Sequence, residues 1–404
     1  MNKTVAILGT MDTKGTEFGF LQQLVLSSGL STLVLDAGVL GPPALEPDIT
    51  SAEIARLAGA DLDQMIAERD RGRSVEIMAT GARLACRRLF EEGKIHGLIS
   101  LGGSAGTTIG TAAMRALPVG FPKVMVSTLA AGDTRPYVGI KDIVMLYPVV
   151  DIAGLNTLSR RILRNAAAAI IGMVSREEDP SGAGKPVVAA TMFGVTTPCV
   201  TKVREILEKH GYEVLVFHAT GSGGQAMESL IEDGFISAVL DITTTELADE
   251  LVGGILSAGP HRLEAAGARG IPQVVCPGAI DMVNFGPPDT VPERFRHRKL
   301  YAHNPNVTLM RTTPEECAEL GRITAEKLNR AKGPVVFVMP LKGVSTIDAA
   351  GQPFHSPEAT PAYLGALKQQ LDPRIPLVEV DANLNDPIFA SEVAKRLLDH
   401  LTCE

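Results

Sequence analysis

Short apolar runs alternate with amphipathic segments along the whole chain. Each apolar run ends in Gly, Thr, Ser or Asp and is followed by apolar residues at helical spacing, which is typical of parallel β–α–β units. The pattern predicts a doubly wound α/β fold. The predicted strands of the first half are Thr4–Leu8, Ser31–Asp36, Gly97–Leu101, Lys123–Ser127 and Ile143–Tyr147. Those of the second half are Pro186–Ala190, Glu213–His218, Ala238–Ile242, Gln273–Cys276, Val307–Met310, Val335–Met339 and Leu377–Val380.

The chain also repeats itself. The segment Val5–Val39 overlays Val187–Gly221 without a gap, and each copy reads as a strand, a polar turn, an amphipathic helix and a second strand. The match resumes where Glu91–Ser104 corresponds to Glu232–Thr245. An internal repeat of this length indicates two similar parallel-sheet lobes with a cleft between them, and the cleft is where we expect the function.

The predicted lobes span residues 1–180 and 185–404, because the charged, Gly- and Pro-rich run SREEDPSGAGKP is the best linker in the chain. A chain of 404 residues also exceeds the size at which one hydrophobic core stops growing. Between Val39 and Glu91 the first lobe carries a stretch that the second lacks, with the proline-rich PPALEPDIT and the helical SAEIARLAG. Two roles stay open for this insertion, a cover over the cleft and an oligomer contact.

Composition narrows the class of protein. A net charge of −8 without clustered Lys and Arg argues against nucleic acid as a partner. The N-terminus enters a strand at once without a signal-peptide pattern, and no apolar run is long enough to span a bilayer. The five cysteines lack metal-type spacing, which suits a reducing compartment. We therefore expect a cytoplasmic protein without a membrane partner, a disulfide or a structural zinc.

The strongest candidate for an anion site is the loop that follows the strand ending at Leu101. Its glycines let backbone N–H groups approach an anion, and the helix that follows adds partial positive charge. The alternative is a tight turn in which the glycines serve only packing. Neither a Walker A nor a GxGxxG pattern occurs here. The candidate cofactor-binding residues of this loop are Gly102, Gly103, Ser104, Gly106 and Thr107.

The turn after the first strand adds Thr10, Asp12, Thr13 and Lys14. Asp12 or Thr13 could simply cap a helix that begins near Glu17. Lys14 has no acceptor to offer a cap, so we expect it to contact a phosphate or carboxylate. Asp36 ends the second strand, where acidic residues commonly bind a ribose hydroxyl in dinucleotide folds.

The second lobe offers the candidate catalytic groups. His218 is the repeat counterpart of Asp36 and precedes a Gly-rich loop, so it is a candidate acid/base or anion ligand, or else a histidine bonded within a turn. Asp241 lies at the end of the predicted strand Ala238–Ile242, and Asp281 follows the predicted strand Gln273–Cys276. Cys276 reads as a core thiol, since no positive group stands beside it. Carboxylates at these turns could hold Mg²⁺ together with phosphate, but no pattern defines a ligand set.

Several long motifs occur in order along essentially the whole chain: GTMDTKGTE, SLGGSAGTT, LVFHATGSGGQAME, LDITTTELAD, AIDMVNFGP, LMRTTPEE and LKGVSTID. Together they resemble the Tm-one-like ATP-binding domain family, which is named for the tomato mosaic virus resistance protein. The resemblance implies two Rossmann-like subdomains, ATP binding and a homodimer.

Two classes of function follow from these expectations. As an enzyme, the protein would act on a small anionic metabolite in the interlobe cleft, with His218, Asp241 or Asp281 as catalytic groups and the nucleotide in the first lobe. The number of ionisable groups at second-lobe strand ends favours this class. The alternatives are a non-catalytic ATP-binding regulatory or protein-interaction module and a sensor of a small anion.

Overall fold

The structure is a computed structural model that describes residues 3–176 and 184–401. Contacts divide the chain into two compact units, Met1–Asp179 and Pro180–Glu404. Most of the expected linker, residues 177–183, lies outside the described residues. None of the helices within the described ranges is long and apolar enough to cross a membrane.

The first unit is a five-stranded parallel sheet with helices on both faces, in the strand order β2-β1-β3-β4-β5. Its strands are β1 Thr4–Gly9, β2 Ser31–Asp36, β3 Gly97–Gly102, β4 Lys123–Ser127 and β5 Val144–Leu146. Its helices are α1 Met11–Ser27, α2 Ser51–Leu57, α3 Leu62–Glu68, α4 Arg71–Glu91, α5 Ser104–Arg115, α6 Arg135–Val138 and α7 Thr157–Ser175.

Alternation along β1 shows how the sheet is covered. Val5 and Ile7 pack in one core with residues of α1 and α7, whereas Ala6 and Leu8 pack in another with residues of α4 and α5. Successive side chains of a strand point to opposite faces, so a strand that is apolar on every position requires helices on both sides.

The second unit contains a six-stranded parallel sheet in the order β14-β13-β9-β8-β6-β7. The strands of the unit are β6 Val187–Met192, β7 Glu213–His218, β8 Ala238–Thr243, β9 Gln273–Gly278, β10 Met282–Phe285, β11 Leu300–Asn304, β12 Val307–Arg311, β13 Val335–Pro340 and β14 Leu377–Val380. Its α-helices are α8 Thr197–Lys209, α9 Ser222–Glu232, α10 Thr245–Val252, α11 Ala265–Arg269, α12 Pro314–Leu328, α13 Ala359–Gln370 and α14 Pro387–Leu401. Short 3₁₀ turns cover Gly194–Thr196, Pro288–Thr290 and Glu293–Phe295.

The repeat in the sequence is a repeat in topology. Strands β6, β7, β8 and β9 occupy the same neighbouring positions in their sheet as β1, β2, β3 and β4 do in theirs. Asp36 and His218 end corresponding strands, since Gly9 pairs with Asp36 and Met192 pairs with His218. The predicted doubly wound, parallel α/β fold is therefore confirmed in each unit.

Two details of the prediction are wrong. The strand predicted at Val307–Met310 is not in the parallel sheet, because β12 forms a separate antiparallel sheet with β10 and β11. Helix α1 begins at Met11 instead of near Glu17, with Thr10 as its N-cap, and it is kinked at Lys14, whose φ and ψ are −133° and 21°. Hence neither Asp12 nor Thr13 occupies the N-cap position.

Candidate functional site

A cavity of about 880 Å³ opens in the first unit where β1, β2 and β3 end. Strand β2 lies on one side of β1 and β3 lies on the other, so the direction in which strands are added to the sheet reverses at β1. Ligands of open parallel sheets bind in the crevice at such a switch point. The cavity brings together all of the predicted first-unit residues except Asp36 and Thr107. Those that line it are Thr10, Asp12, Thr13, Lys14, Gly102, Gly103, Ser104 and Gly106.

The turn after β1 supplies one wall. Thr10 Oγ1 and Thr13 Oγ1 are hydrogen-bonded at 2.8 Å, so one hydroxyl hydrogen is used within the turn. Lys14 Nζ donates to the Ile152 carbonyl oxygen, and no carboxylate of a described residue pairs with it. An ammonium carries three donors, and among the described residues the Ile152 carbonyl oxygen accepts from one of them. Lys14 can therefore take an anion without first breaking an ion pair.

The glycine loop supplies the second wall, and its glycines differ in role. A Cβ on Gly102 would lie 2.8 Å from Gly106 Cα, and one on Gly106 would lie 3.1 Å from the Leu101 carbonyl oxygen. Glycine is therefore needed at these two positions because the tight turn leaves too little room for a side chain. A Cβ on Gly103 would meet its nearest atom, Thr128 Oγ1, only at 3.7 Å, so packing does not require a glycine there.

Helix α5 begins directly after Gly103 and points its first turn at the cavity. Gly103 is the N-cap and, having no side chain, cannot cap the helix with one. The first N–H groups of a helix have no acceptor within it, and the helix dipole adds partial positive charge. Thr107 is buried in the core, where its hydroxyl is hydrogen-bonded to that of Ser127 at 2.7 Å.

The two aspartates predicted here have different surroundings. Asp36 is buried, and its Oδ1 accepts from Met11 N at 2.9 Å and Gly38 N at 2.8 Å, so it holds the turns after β1 and β2. Burial raises the pKa of Asp36. Asp12 Oδ2 accepts from Leu40 N at 2.7 Å, and Asp12 Oδ1 is buried without a hydrogen-bond partner among the described residues. Asp12 thus lines the cavity with one carboxylate oxygen unpaired, whereas Asp36 is a structural residue of the loop.

The third wall comes from the insertion, for which the sequence left two roles open, a cover over the cleft between the lobes and an oligomer contact. Its apolar part is formed mainly by Val39, Leu40, Met65, Ile66, Val75 and Met78. Its polar members are Arg69, Asp70, Arg71 and Ser74. The spacing 71, 74, 75 and 78 marks one face of a helix, which is the signal that could have identified them. Within the first unit, the insertion therefore lines the cavity at the ends of β1, β2 and β3.

In the second unit, buried side chains fill the ends of β8 and β9. Asp241 is buried against the equally buried Arg262, with Nη1 and Nη2 at 2.5 and 2.6 Å from its two oxygens. Arg262 Nε also donates to Glu246 at 2.7 Å, and its Nη1 donates to Glu228 at 3.2 Å. Burial alone would lower the pKa of Arg262, but the three carboxylates outweigh it and raise that pKa. Asp241 is committed to this network and is not placed as an acid/base.

Asp281 lies in a second buried cluster. Its Oδ2 accepts from Ser345 Oγ at 2.8 Å, and its Oδ1 has no partner in the described structure. Burial, together with the charge of Asp348, raises the pKa of Asp281 to about 7. Asp348 is itself paired with Arg311 at 2.9 Å. A carboxyl group with no solvent exposure has no access to a substrate in this conformation.

His218 is exposed at the end of β7, with its ring centroid 5.5 Å from that of Phe193. Across residues 3–176 and 184–401, no hydrogen bond joins any two of the predicted catalytic residues His218, Asp241 and Asp281. Cys276 is buried, as predicted for a core thiol, and burial raises its pKa well above the ordinary value.

The described residues contain no group of three or more His, Cys, Asp or Glu side chains that could hold a metal ion. The acidic side chains at the first-unit cavity are Asp12, Asp70 and Asp151. Asp70 and Asp151 each accept a hydrogen bond from a nearby backbone N–H. The protein alone therefore does not supply a complete ligand set at this cavity.

Comparison with known proteins gives one consistent family. Two family models match, described as the N-terminal and C-terminal domains of the uncharacterised protein family UPF0261, over residues 3–179 and 185–401. A UPF0261 protein of Clostridium tetani is 55% identical over 400 residues, covering 99% of both chains. The tomato mosaic virus resistance protein Tm-1(GCR237) of Solanum lycopersicum is 40% identical over 431 residues, covering 99% of this chain and 57% of the tomato protein.

Solved structures are much more distant. A UDP-N-acetylglucosamine 2-epimerase from Rickettsia bellii aligns over 100% of this chain and 96% of its own, with 10% identity and a TM-score of 0.23. Likeness at that level carries no inference about function. The two family models together cover nearly the whole chain, and the relatives match it from end to end, so this protein belongs to the UPF0261 family.

Proposed function

We propose that the first unit binds a nucleotide, ATP, with its phosphates between Lys14 and the N-terminus of α5. The proposal rests on two groups that line one cavity. They are the Lys14 ammonium, which has no carboxylate partner among the described residues, and the first turn of α5, which has no side-chain cap. Backbone N–H groups, a helix dipole and a lysine are the groups that proteins use to hold phosphate. The choice of ATP comes from the resemblance to the Tm-one-like family.

The size and lining of the cavity support this ligand. A volume of about 880 Å³ lies within the range of small-molecule and cofactor sites. The polar part of its lining is formed by the loops after β1 and β3 together with Arg69, Asp70, Arg71 and Ser74 of the insertion. The apolar part is formed mainly by Val39, Leu40, Met65, Ile66, Val75 and Met78. A nucleotide has the same division, since its phosphates are charged and its base is flat and largely apolar on its faces.

Mg²⁺ fits the site as a companion of the phosphates. This cation commonly binds through one or two carboxylates together with substrate phosphates. Asp12 supplies a buried carboxylate oxygen that has no other partner among the described atoms, and Asp151 lines the same cavity. When bound, the ion would neutralise part of the phosphate charge.

The alternatives differ in whether ATP is consumed. An enzyme acting on a small anionic metabolite needs an acid/base group near the reacting atoms. Asp241 and Asp281, which favoured that class in the sequence, are held in buried networks of the second unit. This observation favours a regulatory or binding module as the second candidate.

Isothermal titration with ATP and Mg²⁺, followed by an assay for released ADP in the same sample, tests the proposal. Replacing Lys14 with Met should weaken ATP binding by about 10- to 150-fold, because a hydrogen bond to a charged group contributes about 1.5–3 kcal/mol. The matched control is Lys94→Met, which removes an exposed lysine paired only with Glu92. Wild-type protein that binds no ATP, or a Lys14→Met variant with full affinity, would overturn the proposal.

Release of ADP would assign an ATP-consuming enzyme, and binding without release would assign the module. The homodimer expected from the resemblance stays a separate prediction, which light scattering of the purified protein would test with and without ATP.

A further inference from the structure

Helices α3 and α4 meet at a tight corner on the insertion. Arg69 ends α3 in the left-handed conformation with φ of +53°, which is uncommon for a residue other than glycine. Asp70 then caps α4, where its Oδ1 accepts from Arg73 N at 3.0 Å. Ser74 Oγ donates to the Asp70 carbonyl oxygen at 2.7 Å and ties the corner together. The backbone at Arg69–Arg71 is therefore fixed by local bonds.

The acidic groups near this corner are already engaged. Glu68 pairs with Arg73 at 2.7 Å, and the Asp70 carboxylate is used in the cap. Arg69 and Arg71 line the cavity, and in the described parts of the chain neither guanidinium makes an ion pair or a hydrogen bond. The cavity lining therefore contains two guanidinium groups that no described carboxylate pairs with.

We infer that Arg69 and Arg71 bind the distal phosphates of the nucleotide, so that the site selects for the length of the phosphate chain. This inference rests on the proposed nucleotide binding. Lys14 and the first turn of α5 suffice for one phosphate group. The N–H donors of a planar guanidinium match the spacing of phosphate oxygens, so Arg69 and Arg71 can bind the phosphate groups beyond the first. Affinity then rises from AMP to ADP to ATP, and the two arginines supply most of the increase.

The experiment is titration calorimetry of the full chain with AMP, ADP and ATP, each with Mg²⁺. The test protein is the double variant Arg69→Gln/Arg71→Gln, and the control is Arg73→Gln, which removes a neighbouring arginine that does not line the cavity. In the double variant the Kd for ATP should rise about tenfold, whereas that for AMP should change by less than about twofold. The control should leave the ATP-to-AMP ratio of the wild type unchanged.

A variant with two lysines distinguishes the bidentate geometry of the arginines from their positive charge. Arg69→Lys/Arg71→Lys keeps both positive charges but loses bidentate geometry, so it should lie between the wild type and the glutamine variant. Thermal unfolding of each variant shows that the fold is kept, since both side chains are exposed.

Three results would overturn the inference. If the wild type binds none of the three nucleotides, the proposed function and the inference fail together. If the wild type binds ATP and the double variant keeps its preference for ATP over AMP, only the role of the two arginines fails. Equal losses for AMP and ATP would also refute it, because the arginines would then contact the part that both nucleotides share.

Discussion

The glycine loop allows a sharp test at Gly103. This residue has φ and ψ of −81° and −151°, so its φ lies outside the left-handed region that favours glycine. A Cβ there would lie 3.7 Å from Thr128 Oγ1, which is ordinary van der Waals contact. The substitution Gly103→Val therefore adds bulk at the mouth of α5 without forcing the backbone to move.

Its effects on stability and on binding should separate. Reduced freedom of the unfolded chain favours the variant by about 0.4–1 kcal/mol, and the poorer N-cap costs about the same. The free energy of unfolding should thus change by less than about 1 kcal/mol. A phosphate kept away from the first N–H groups of α5 loses at least one charge-assisted hydrogen bond of about 1.5–3 kcal/mol, so the Kd for ATP should rise at least about tenfold.

Titration calorimetry gives the affinity, and thermal unfolding gives the stability of the same preparation. Gly172→Val is the matched control, because Gly172 lies in α7, is exposed and has no described atom within 4 Å of an added Cβ. Gly102→Ala is a contrasting variant, since its Cβ would lie 2.8 Å from Gly106 Cα and should lower the stability. A folded Gly103→Val protein that binds ATP as the wild type does would refute the phosphate role of this loop.

Two predictions concern the buried charges of the second unit. Arg262→Met leaves three carboxylates without their cation and should lower the free energy of unfolding by about 3–5 kcal/mol, as measured by urea denaturation. The exposed Arg269→Met is its control, and equal stability of the two variants would contradict the account. Because burial raises the pKa of Asp281 to about 7 from 3.8, the native state holds a proton that the unfolded chain releases in this window. The free energy of unfolding should therefore fall as pH rises from about 4 to about 7, and Asp281→Asn should flatten that fall. An unchanged pH profile in the variant would show that Asp281 does not titrate there.

The positions of the main strands along the chain could be predicted because each is a continuous apolar run, which only a sheet covered on both faces can bury. Strands β10 and β11 were not predicted, since they are short. Their antiparallel pairing with β12, which was predicted as a strand of the parallel sheet, is set only when the chain folds. The same limit applies to Lys14, which lines the first-unit cavity but whose carbonyl partner Ile152 lies 138 residues away in the chain.

The repeat, the α/β fold and the polar turns at the strand ends could be predicted because they depend on local periodicity and on residues next to one another in the chain. Which of these polar turns are open depends on contacts between segments that are distant in the chain. The local sequence around a carboxylate at the end of an apolar strand is the same whether that carboxylate faces solvent or a buried arginine. The partner of Asp241, Arg262, lies 21 residues away in the chain. The arginine closes the turn after β8, whereas the glycines after β3 leave room for a ligand, since a side chain contributed from a distant segment decides whether a strand end is filled.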